Sequence, residues 1–493
     1  MNKRTFRRAI GAACFLSLVF FASQCFAQSS SMSASEAADA SIRYSKIITN
    51  VLNFVQQNYV DEIDPEVLYE GAMKGMMDAL GDPYTVYLDS ESLRSLTDTT
   101  AGNFGGVGLS ITKLITNTPD KPAYVEVVSP IENTPGAKAG ILPGDLITAI
   151  DGKSTPDLTM NEVLDHLRGK IGTPVEVSIL RGKNIEFKKT LVRALIEVPT
   201  VKYASLNSLG YLKIIEFTPD TAKHVQEALD EFKKNNFTGL IIDLRNNPGG
   251  LITSVADVAN KFIDAGTIVS TKSRLSYQNS EYTASKSKTT MPRGIPIVVL
   301  INKGSASASE ILAGALKDNH LAYLVGQNTY GKGSVQQMIP LSDSDGFKMT
   351  VARYYTPSDT NIDKVGIPPD REILYPELSE AEEKSFSELM KADVIAQYVE
   401  SRSGMTEKDI ASYAEELYKK YPLDVRTLRR IIRMEVQRPT GGSLYDLDYD
   451  IQLNAAISIL KNENFTELMK TTKTLKELQE IAASEKETAS KAD

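Results

Sequence analysis

The stretch Ile295-Pro-Ile-Val-Val-Leu-Ile-Asn-Lys-Gly-Ser-Ala-Ser-Ala-Ser-Glu310 sets the local architecture at the centre of this 493-residue chain. Its first seven residues are apolar and mostly β-branched, which predicts a buried strand. Asn302-Lys-Gly304 predicts a turn, and the apolar spacing after Glu310 predicts a helix through Lys317. Ser307 therefore lies at a helix N-terminus where a strand ends. Unpaired amides and the positive end of the helix dipole can stabilise an oxyanion there.

A lone lysine, Lys332, follows 25 positions after Ser307 in the turn Gly331-Lys-Gly333. A hydroxyl nucleophile with an amine base is the composition of a Ser/Lys hydrolase, which needs no histidine. To act as a base near neutral pH, the lysine pKa must fall by about three units from ~10.4, at a cost of about 4 kcal/mol that burial usually supplies. The chain has three histidines, none in a catalytic context: His166, His224 and His320.

Each of these residues has an alternative reading. Ser307 and Glu310 match the S-x-x-E capping box, which is compatible with a nucleophile at the same position. Gln336 can orient the Lys332 amine by hydrogen bonding, or it can be a solvent-facing glutamine on a strand. Gly326 to Lys332 matches the start of a phosphate-binding loop. We reject that reading because Gly333 replaces the required Ser or Thr and an alternating, strand-like pattern follows.

These residues resemble the C-terminal processing (tail-specific) proteases. The settings are S-A-S-A-S-E-I-L-A-G-A-L around Ser307 and T-Y-G-K-G-S-V-Q around Lys332. Upstream, Leu240-Ile-Ile-Asp-Leu-Arg-Asn-Asn-Pro-Gly-Gly250 matches that family's D-L-R-x-N-P-G-G loop. The three motifs stand in the family's order, and the resemblance covers residues 40 to 375.

The resemblance implies roles for individual residues. Ser307 is expected to be the nucleophile, Lys332 the general base and Gln336 its orienter. The oxyanion hole is expected to consist of the amide of Ala308 with that of Gly249 or Gly250. Asp318 matches an acid that is sometimes needed for activity, and we expect it to be structural.

The N-terminus predicts export. Residues 1–8 carry four positive charges and no negative one, residues 9–21 are mostly apolar, and Cys25-Phe-Ala27 can precede a cleavage site. We expect a signal peptide over residues 1–27, with an uncleaved membrane anchor as the alternative, and a periplasmic or extracellular location. Both cysteines, Cys14 and Cys25, lie in this segment, so the rest of the chain has no thiol. The formal net charge of −8 and the absence of tryptophan argue against nucleic-acid binding.

An α/β multidomain fold is expected. Residues 28–101 predict an N-terminal helical arm, with a linker over 28–40 and two helices between 44 and 80 that break near 61–65. Residues 193–376 alternate strands with helices, which predicts an α/β core, crotonase-like by the family resemblance. A hairpin is expected to join the Lys332 strand to residues 347–355. Residues 377–493 predict a C-terminal helical region with a disordered tail from residue 484.

Residues 102–192 resemble a PDZ domain. The supporting motifs are Gly106-Val-Gly-Leu109, residues 129–140 and Leu142-Pro-Gly-Asp-Leu-Ile-Thr-Ala-Ile-Asp-Gly152. The resemblance implies that Gly106, Val107, Gly108 and Leu109 hold a peptide carboxylate while the peptide adds to a sheet edge. Arg168, at the end of a helix over 159–168, is the candidate that couples tail binding to activity. Its alternative is an ordinary arginine at a helix C-terminus.

The expected function is that of an exported serine endopeptidase that cleaves proteins near their C-termini, with the PDZ domain binding the tail and gating activity. The alternative is a catalytically silent PDZ scaffold, although Ser307 and Lys332 are both present. No cofactor or metal is expected, since H-E-x-x-H and cysteine clusters are missing from the sequence. Expected partners are protein substrates, a second copy through the helical N- and C-terminal regions, and an adaptor protein.

Overall fold

The structure, a computed structural model, describes residues 34–113, 122–131, 133–182, 184–402, 404–437 and 443–490. The predicted signal peptide lies outside these residues. Two compact units divide the chain, one up to Gly81 and the other from Asp82 onwards. No helix within the described residues is long and apolar enough to span a membrane.

The first unit contains the two expected helices, Ala34–Asn58 and Pro65–Asp78, which we call the N-terminal arm. The second helix begins at Pro65 because the Asp64 side chain accepts a hydrogen bond from the amide of Glu66 and proline fits the first helical position. The predicted linker over residues 28–40 is wrong from Ala34 onwards. The alanine-rich sequence there has a high intrinsic helix propensity.

The PDZ segment folds into a five-stranded antiparallel sheet with a short additional strand. Its main strands in spatial order are Leu109–Lys113, Val125–Pro130, Leu146–Ile150, Pro174–Arg181 and Ile185–Val192, and the short strand is Lys153–Ser154. The helix Met160–Leu167 starts in a capping box made by Thr159 and Glu162. Asn103–Gly106 at the start of the segment pairs with Ala194–Glu197, which follows it, in a separate two-stranded sheet.

The core is built on a six-stranded sheet. Its strands in spatial order are Val201–Leu206, Leu209–Ile214, Gly239–Asp243, Ile297–Ile301, Tyr323–Gly326 and Arg371–Glu372, of which the first pair is antiparallel and the others parallel. The main hydrophobic cluster packs helices Thr221–Lys234, Ile252–Ala259 and Ala308–Asp318 against sheet residues such as Leu212 and Ile242. A second cluster joins the helix Ile451–Asn462 to alternate sheet residues such as Tyr211 and Val298. The sheet is therefore covered by helices on both faces.

A second sheet carries the predicted hairpin. Ser334–Pro340 pairs antiparallel with Gly346–Tyr355, and we call this pair the lysine hairpin. The sheet also contains Val86–Leu88, Thr267–Ser273 and Ser280–Thr283. The pairing of Val86–Leu88 with Gly346–Tyr355 joins a strand from the start of the second unit to the hairpin that follows Lys332.

Other helices in the described chain are Ser90–Ala101, Pro135–Lys138, Glu380–Ala392, Val394–Glu400, Glu407–Tyr418, Val425–Gln437, Phe465–Thr471 and Leu475–Ser490, with short 3₁₀ turns at Thr155–Asp157, Ser276–Gln278 and Lys286–Lys288. The last α-helix corrects the prediction of a disordered tail from residue 484. Leu475 is buried against the main core, and Leu478 packs on the same cluster. Thr474 and Glu477 form hydrogen bonds across the helix start. The fold class, an α/β multidomain chain with a PDZ domain and helical terminal regions, is confirmed.

Candidate active site

Ser307 lies between the strand Ile297–Ile301 and the helix Ala308–Asp318, as predicted. Its backbone has φ 55° and ψ −115°, a conformation that costs a non-glycine residue energy and is typical of functional turns. The neighbouring serines have structural partners. The Ser305 hydroxyl donates to the carbonyl of Leu244 (2.8 Å), and the Ser309 hydroxyl donates to that of Asn247 (3.0 Å). These two bonds hold residues 304–309, which we call the serine loop, against residues 244–250, which we call the glycine loop.

The glycine loop lies directly beside Ser307. A Cβ on Gly249 would be 2.7 Å from the Cβ of Ser307, so only glycine allows this approach. The amide of Gly249 donates to the Asn247 side chain (2.9 Å) and is therefore already used. Gly250 forms a parallel bridge with Phe217, in which Phe217 donates to Gly249 and Leu251 donates to Phe217. In such a bridge the amide of the middle residue, Gly250, points away from the partner. Of the two predicted donors, Gly250 has the available amide.

Glu310 connects the segment of Ser307 to the turn that carries Lys332. Its carboxylate accepts hydrogen bonds from the amides of Ser307 (2.8 Å), Gly331 (2.7 Å) and Lys332 (2.9 Å) and from the hydroxyl of Thr329 (2.6 Å). The side chain is fully buried, and this burial raises the pKa of Glu310 although the four hydrogen bonds oppose the rise. The Glu310 carboxylate thus forms its half of the predicted capping box. It also fixes the turn at Gly331 and Lys332, more than twenty residues away.

Lys332 shares one cavity of about 530 Å³ with Ser307, Gly250 and Gln336. Burial lowers the pKa of the Lys332 amine, and the charge of Lys348 lowers it further, while Glu310 and Asp82 act in the opposite direction. A lysine that acts as a base near neutral pH needs its pKa lowered in this way. None of the three histidines is among the described residues that line this cavity.

Gln336 lies on the lysine hairpin and lines the same cavity. Its amide nitrogen donates to the hydroxyls of Ser334 (3.0 Å) and Thr350 (3.1 Å). The side chain is therefore fixed within the hairpin, and its predicted hydrogen bond to the Lys332 amine stays a prediction.

Several residues near the cavity were not found from the sequence. The Tyr354 hydroxyl is within hydrogen-bond distance of the carbonyls of Lys332 and Ser307, and burial raises its pKa well above the usual value. Tyr84 covers the Lys332 amine. Glu216 lines the cavity, and burial raises its pKa. Only the S-x-x-E pattern at Glu310 gave a signal in the sequence, because the other contacts join segments that are distant along the chain.

Asp318 lies away from the cavity at the C-terminal end of the helix Ala308–Asp318, which we call the serine helix. Its carboxylate accepts hydrogen bonds from the amides of Ser358 (3.0 Å) and Leu475 (2.8 Å). Asp318 therefore joins the serine helix to the start of the last helix, as a structural residue would.

The predicted groove residues of the PDZ domain form a short loop at a sheet edge, and backbone hydrogen bonds hold this loop in place. Val107 is buried and its carbonyl accepts from the amide of Gly136 (2.8 Å), and the carbonyl of Gly108 accepts from that of Ile131 (2.9 Å). Gly106 ends one strand and Leu109 begins the edge strand of the five-stranded sheet, which leaves that strand open to a further one. The Arg168 guanidinium carbon lies 4.6 Å from the centre of the Phe104 ring, beside the strand that leads to this loop.

Comparison with known proteins agrees with this architecture. The profile of peptidase family S41 matches residues 208–373, a PDZ domain profile matches 126–181, and that of the "Activating protease CtpB N-terminal domain" matches 9–92. The carboxy-terminal-processing protease of Bartonella bacilliformis is 40% identical over 328 residues, which cover 65% of this chain and 73% of that protein. The chain belongs to the family of carboxy-terminal processing proteases.

Other members of this protease family align over similar or longer ranges. The carboxyl-terminal-processing protease of Synechocystis is 40% identical over 318 residues, 63% of this chain and 72% of the relative. The carboxy-terminal processing protease CtpA of Bacillus subtilis is 31% identical over 429 residues, 83% of this chain and 88% of the relative. The solved photosystem II D1 C-terminal processing protease is 31% identical, with 66% of this chain and 92% of that chain covered and a TM-score of 0.40.

Proposed function

We propose that this protease is a serine endopeptidase in which Ser307 is the nucleophile and Lys332 the general base. The observation that supports this most is the shared cavity, in which a strained serine lies together with a half-buried lysine of lowered pKa. Glu310, which binds the backbone of both residues, holds their segments in a fixed relation.

The proposed reaction proceeds in two stages. The Ser307 hydroxyl attacks the scissile carbonyl and transfers its proton to the Lys332 amine. The amides of Gly250 and Ala308 stabilise the oxyanion of the tetrahedral intermediate; Ala308 is the first helical residue, whose amide has no acceptor within the helix. The Lys332 ammonium then protonates the leaving amine as the peptide bond breaks. Water then attacks the resulting acyl-enzyme and loses a proton to Lys332. The Lys332 ammonium returns this proton to Ser307 Oγ as the acyl–oxygen bond breaks, which releases the new carboxyl terminus and restores both residues.

We further propose that substrates are exported proteins bound by their C-terminal tails at Gly106, Val107, Gly108 and Leu109. The open edge strand after this loop supports such strand addition. Arg168, which contacts the strand before the loop, would link an occupied groove to catalytic activity. The signal-like residues 1–27 support a location beyond the cytoplasmic membrane. An adaptor protein is a further proposed partner.

The test is cleavage of a protein substrate by purified Ser307→Ala and Lys332→Ala variants. Each should lose activity by about 10³-fold or more while the fold is retained, and the double variant should lose no more than either single one because the pair acts as a unit. Lys332→Arg should also be inactive, since a guanidinium does not act as a base near neutral pH. Lys303→Ala, which removes an exposed lysine beside the serine loop, is the matched control. Near-normal cleavage by Ser307→Ala would refute the assignment.

Tail recognition has a separate test in the same assay. The wild type should cleave a peptide with a free C-terminal carboxylate faster than its amidated twin, and Arg168→Ala should lose this preference. Equal cleavage of both peptides by the wild type would exclude selection of carboxyl tails by the PDZ domain.

A further inference from the structure

The ring of Tyr84 lies over the amine of the proposed catalytic base. The Nζ atom of Lys332 is 4.9 Å from the ring centre, within the range of a cation–π contact. The Tyr84 hydroxyl is 3.5 Å from that of Tyr330, two residues before the lysine. Tyr84 comes from a part of the chain that lies more than a hundred residues before the match to the peptidase family at 208–373. The segment that supplies this aromatic cover is thus outside the catalytic core.

Local hydrogen bonds fix the backbone from which the Tyr84 ring projects. The Asp82 carboxylate accepts from the amide of Tyr84 (3.0 Å) and from the hydroxyl of Thr85 (2.6 Å). The Thr85 hydroxyl in turn accepts from the amide of Thr350 on the lysine hairpin (3.1 Å), and that residue also accepts from Gln336. The following strand, Val86–Leu88, pairs with the same hairpin. The backbone that carries the Tyr84 ring is therefore tied to the lysine hairpin by the Thr85–Thr350 hydrogen bond and by the pairing of the next strand.

We propose that Tyr84 is a positioning residue for the general base, whose ring excludes water from the Lys332 amine and holds it toward the cavity. The proposal rests on the proposed function of Lys332. It means that residues 82–88 complete the active site, so a core that begins at residue 193 lacks part of its catalytic apparatus.

The direction of the effect follows from the groups around the amine. Burial is the largest cause of the lowered pKa of Lys332. A cation–π contact stabilises the ammonium by about 0.5–1 kcal/mol at partly exposed sites, which is less than one pKa unit. Removal of the ring therefore exposes the amine more than it destabilises its charged form, and the pKa of Lys332 should rise. The other titratable groups around the amine and the ring remain in place in such a variant: Asp82, Glu216, Glu310, Tyr330, Lys348, Tyr354 and Asp363.

The phenol itself does not titrate in the useful range. The hydrogen bond with Tyr330, together with burial, raises the pKa of Tyr84 to about 12. The ring, not the hydroxyl, is thus the functional part of Tyr84. A phenylalanine at this position should therefore preserve the function.

The experiment is the pH profile of kcat/KM for the full-length protease with Tyr84→Ala, Tyr84→Phe and the wild type. Tyr84→Ala should shift the acidic limb of the profile upward by about one pH unit, with about a tenfold loss at neutral pH and recovery at higher pH. Tyr84→Phe should follow the wild-type profile. Tyr277→Ala, which removes an aromatic side chain that is 80% exposed and outside the cavity, is the matched control.

Three outcomes overturn the proposal. If Tyr84→Ala loses activity equally at every pH, or if Tyr84→Phe is as impaired as Tyr84→Ala, Tyr84 supports the fold of the site and does not act on the Lys332 amine. If the profile of Tyr84→Ala is unchanged while Lys332→Ala is inactive, Tyr84 has no role and the function of Lys332 stands. Full activity of Lys332→Ala would instead refute the proposed function itself. Thermal unfolding of each variant identifies any loss that is due to misfolding.

Discussion

Glu310 satisfies four donors with one buried carboxylate, and this arrangement is sensitive to a change of a single atom. Glutamine in its place has the same size, but its amide group is a donor that faces donors. Glu310→Gln should therefore lower the free energy of unfolding by about 3 kcal/mol, because at least one buried amide or hydroxyl loses its acceptor. Cleavage activity should fall with it, since the backbones of Ser307 and Lys332 are no longer held together.

The control for this prediction is Glu382→Gln. Glu382 caps its own helix start at Ser379 in the same sequence relation, but it is only partly buried. Urea unfolding and cleavage assays should show a much smaller effect there. Equal effects of the two substitutions would mean that Glu310 acts only as a helix cap.

At the scale of helices and strands, the sequence predicted those elements whose pattern is local. The strand before Ser307, the helix that extends to Lys317 and the hairpin after Lys332 were all found. The pairing of Val86–Leu88 with Gly346–Tyr355 was not predicted, because a three-residue strand has no periodicity and its partner is more than 250 residues away. A helical C-terminal region was predicted, but the continuation of the last helix from residue 484 to residue 490 was not, because a charged and polar composition is also typical of a disordered tail.

The same distinction holds for the candidate site. Ser307, Lys332 and the glycine loop are contiguous motifs, so their positions were predictable. The choice between Gly249 and Gly250 was not, because it depends on the bridge to Phe217 and on the side chain of Asn247. Tyr84 and Tyr354 lie near Lys332 because strand pairing in the second sheet brings their segments together. These contacts join segments that are distant in the sequence, so no local pattern predicts them.

Asp318 gives a prediction at the scale of the last helix. Its carboxylate holds the start of Leu475–Ser490, so Asp318→Ala should lower the free energy of unfolding by about 1–2 kcal/mol. Hydrogen exchange over residues 475–490 should become faster, while kcat changes less than tenfold. The control is Asp343→Ala in the exposed turn of the lysine hairpin. Loss of all activity with unchanged stability would make Asp318 a part of the catalytic site instead.

At the scale of the second unit, a buried ion network joins the core to the C-terminal region. The Arg245 guanidinium binds Asp243 (2.6 Å), which is on the core sheet, and Asp450 (2.7 Å), which precedes the helix Ile451–Asn462. Burial alone would raise the pKa of Asp450, but the hydrogen bond and charge of Arg245 lower it overall. Because the folded-state pKa is depressed, the stabilisation is complete above the unfolded value of about 3.9 and is lost as pH falls through the folded value.

We therefore expect Arg245→Met to cost about 3 kcal/mol or more at pH 7, since it leaves carboxylates buried without their cation. Urea unfolding between pH 7 and 3 should show that the variant loses less stability on acidification than the wild type. Lys188→Met, which breaks an exposed ion pair with Glu176, should measurably change neither the stability at pH 7 nor its loss on acidification. Parallel pH dependences of Arg245→Met and the wild type would contradict the role of this network.

The N-terminal arm has an apolar surface that is exposed in the single chain. Tyr44, Ile48, Phe54 and Val67 each have about half or more of their surface exposed. Apolar surface of this extent favours association, and we expect a homodimer. Light scattering after size exclusion should give the mass of two chains, and Phe54→Glu with Val67→Glu should give that of one. Tyr277→Glu, at an exposed aromatic residue of the second unit, should remain dimeric. A wild type that is monomeric at high concentration would exclude the homodimer.

The four bonds to Glu310 also have a consequence for the time scale of local opening. The amides of Ser307, Gly331 and Lys332 share one acceptor, although 25 residues separate the first from the last. If that carboxylate leaves its site, all three amides become accessible to solvent in the same event. Deuterium should therefore enter these three positions at one common rate, as if Ser307 and Lys332 belonged to a single small element of structure, although they are far apart in the sequence.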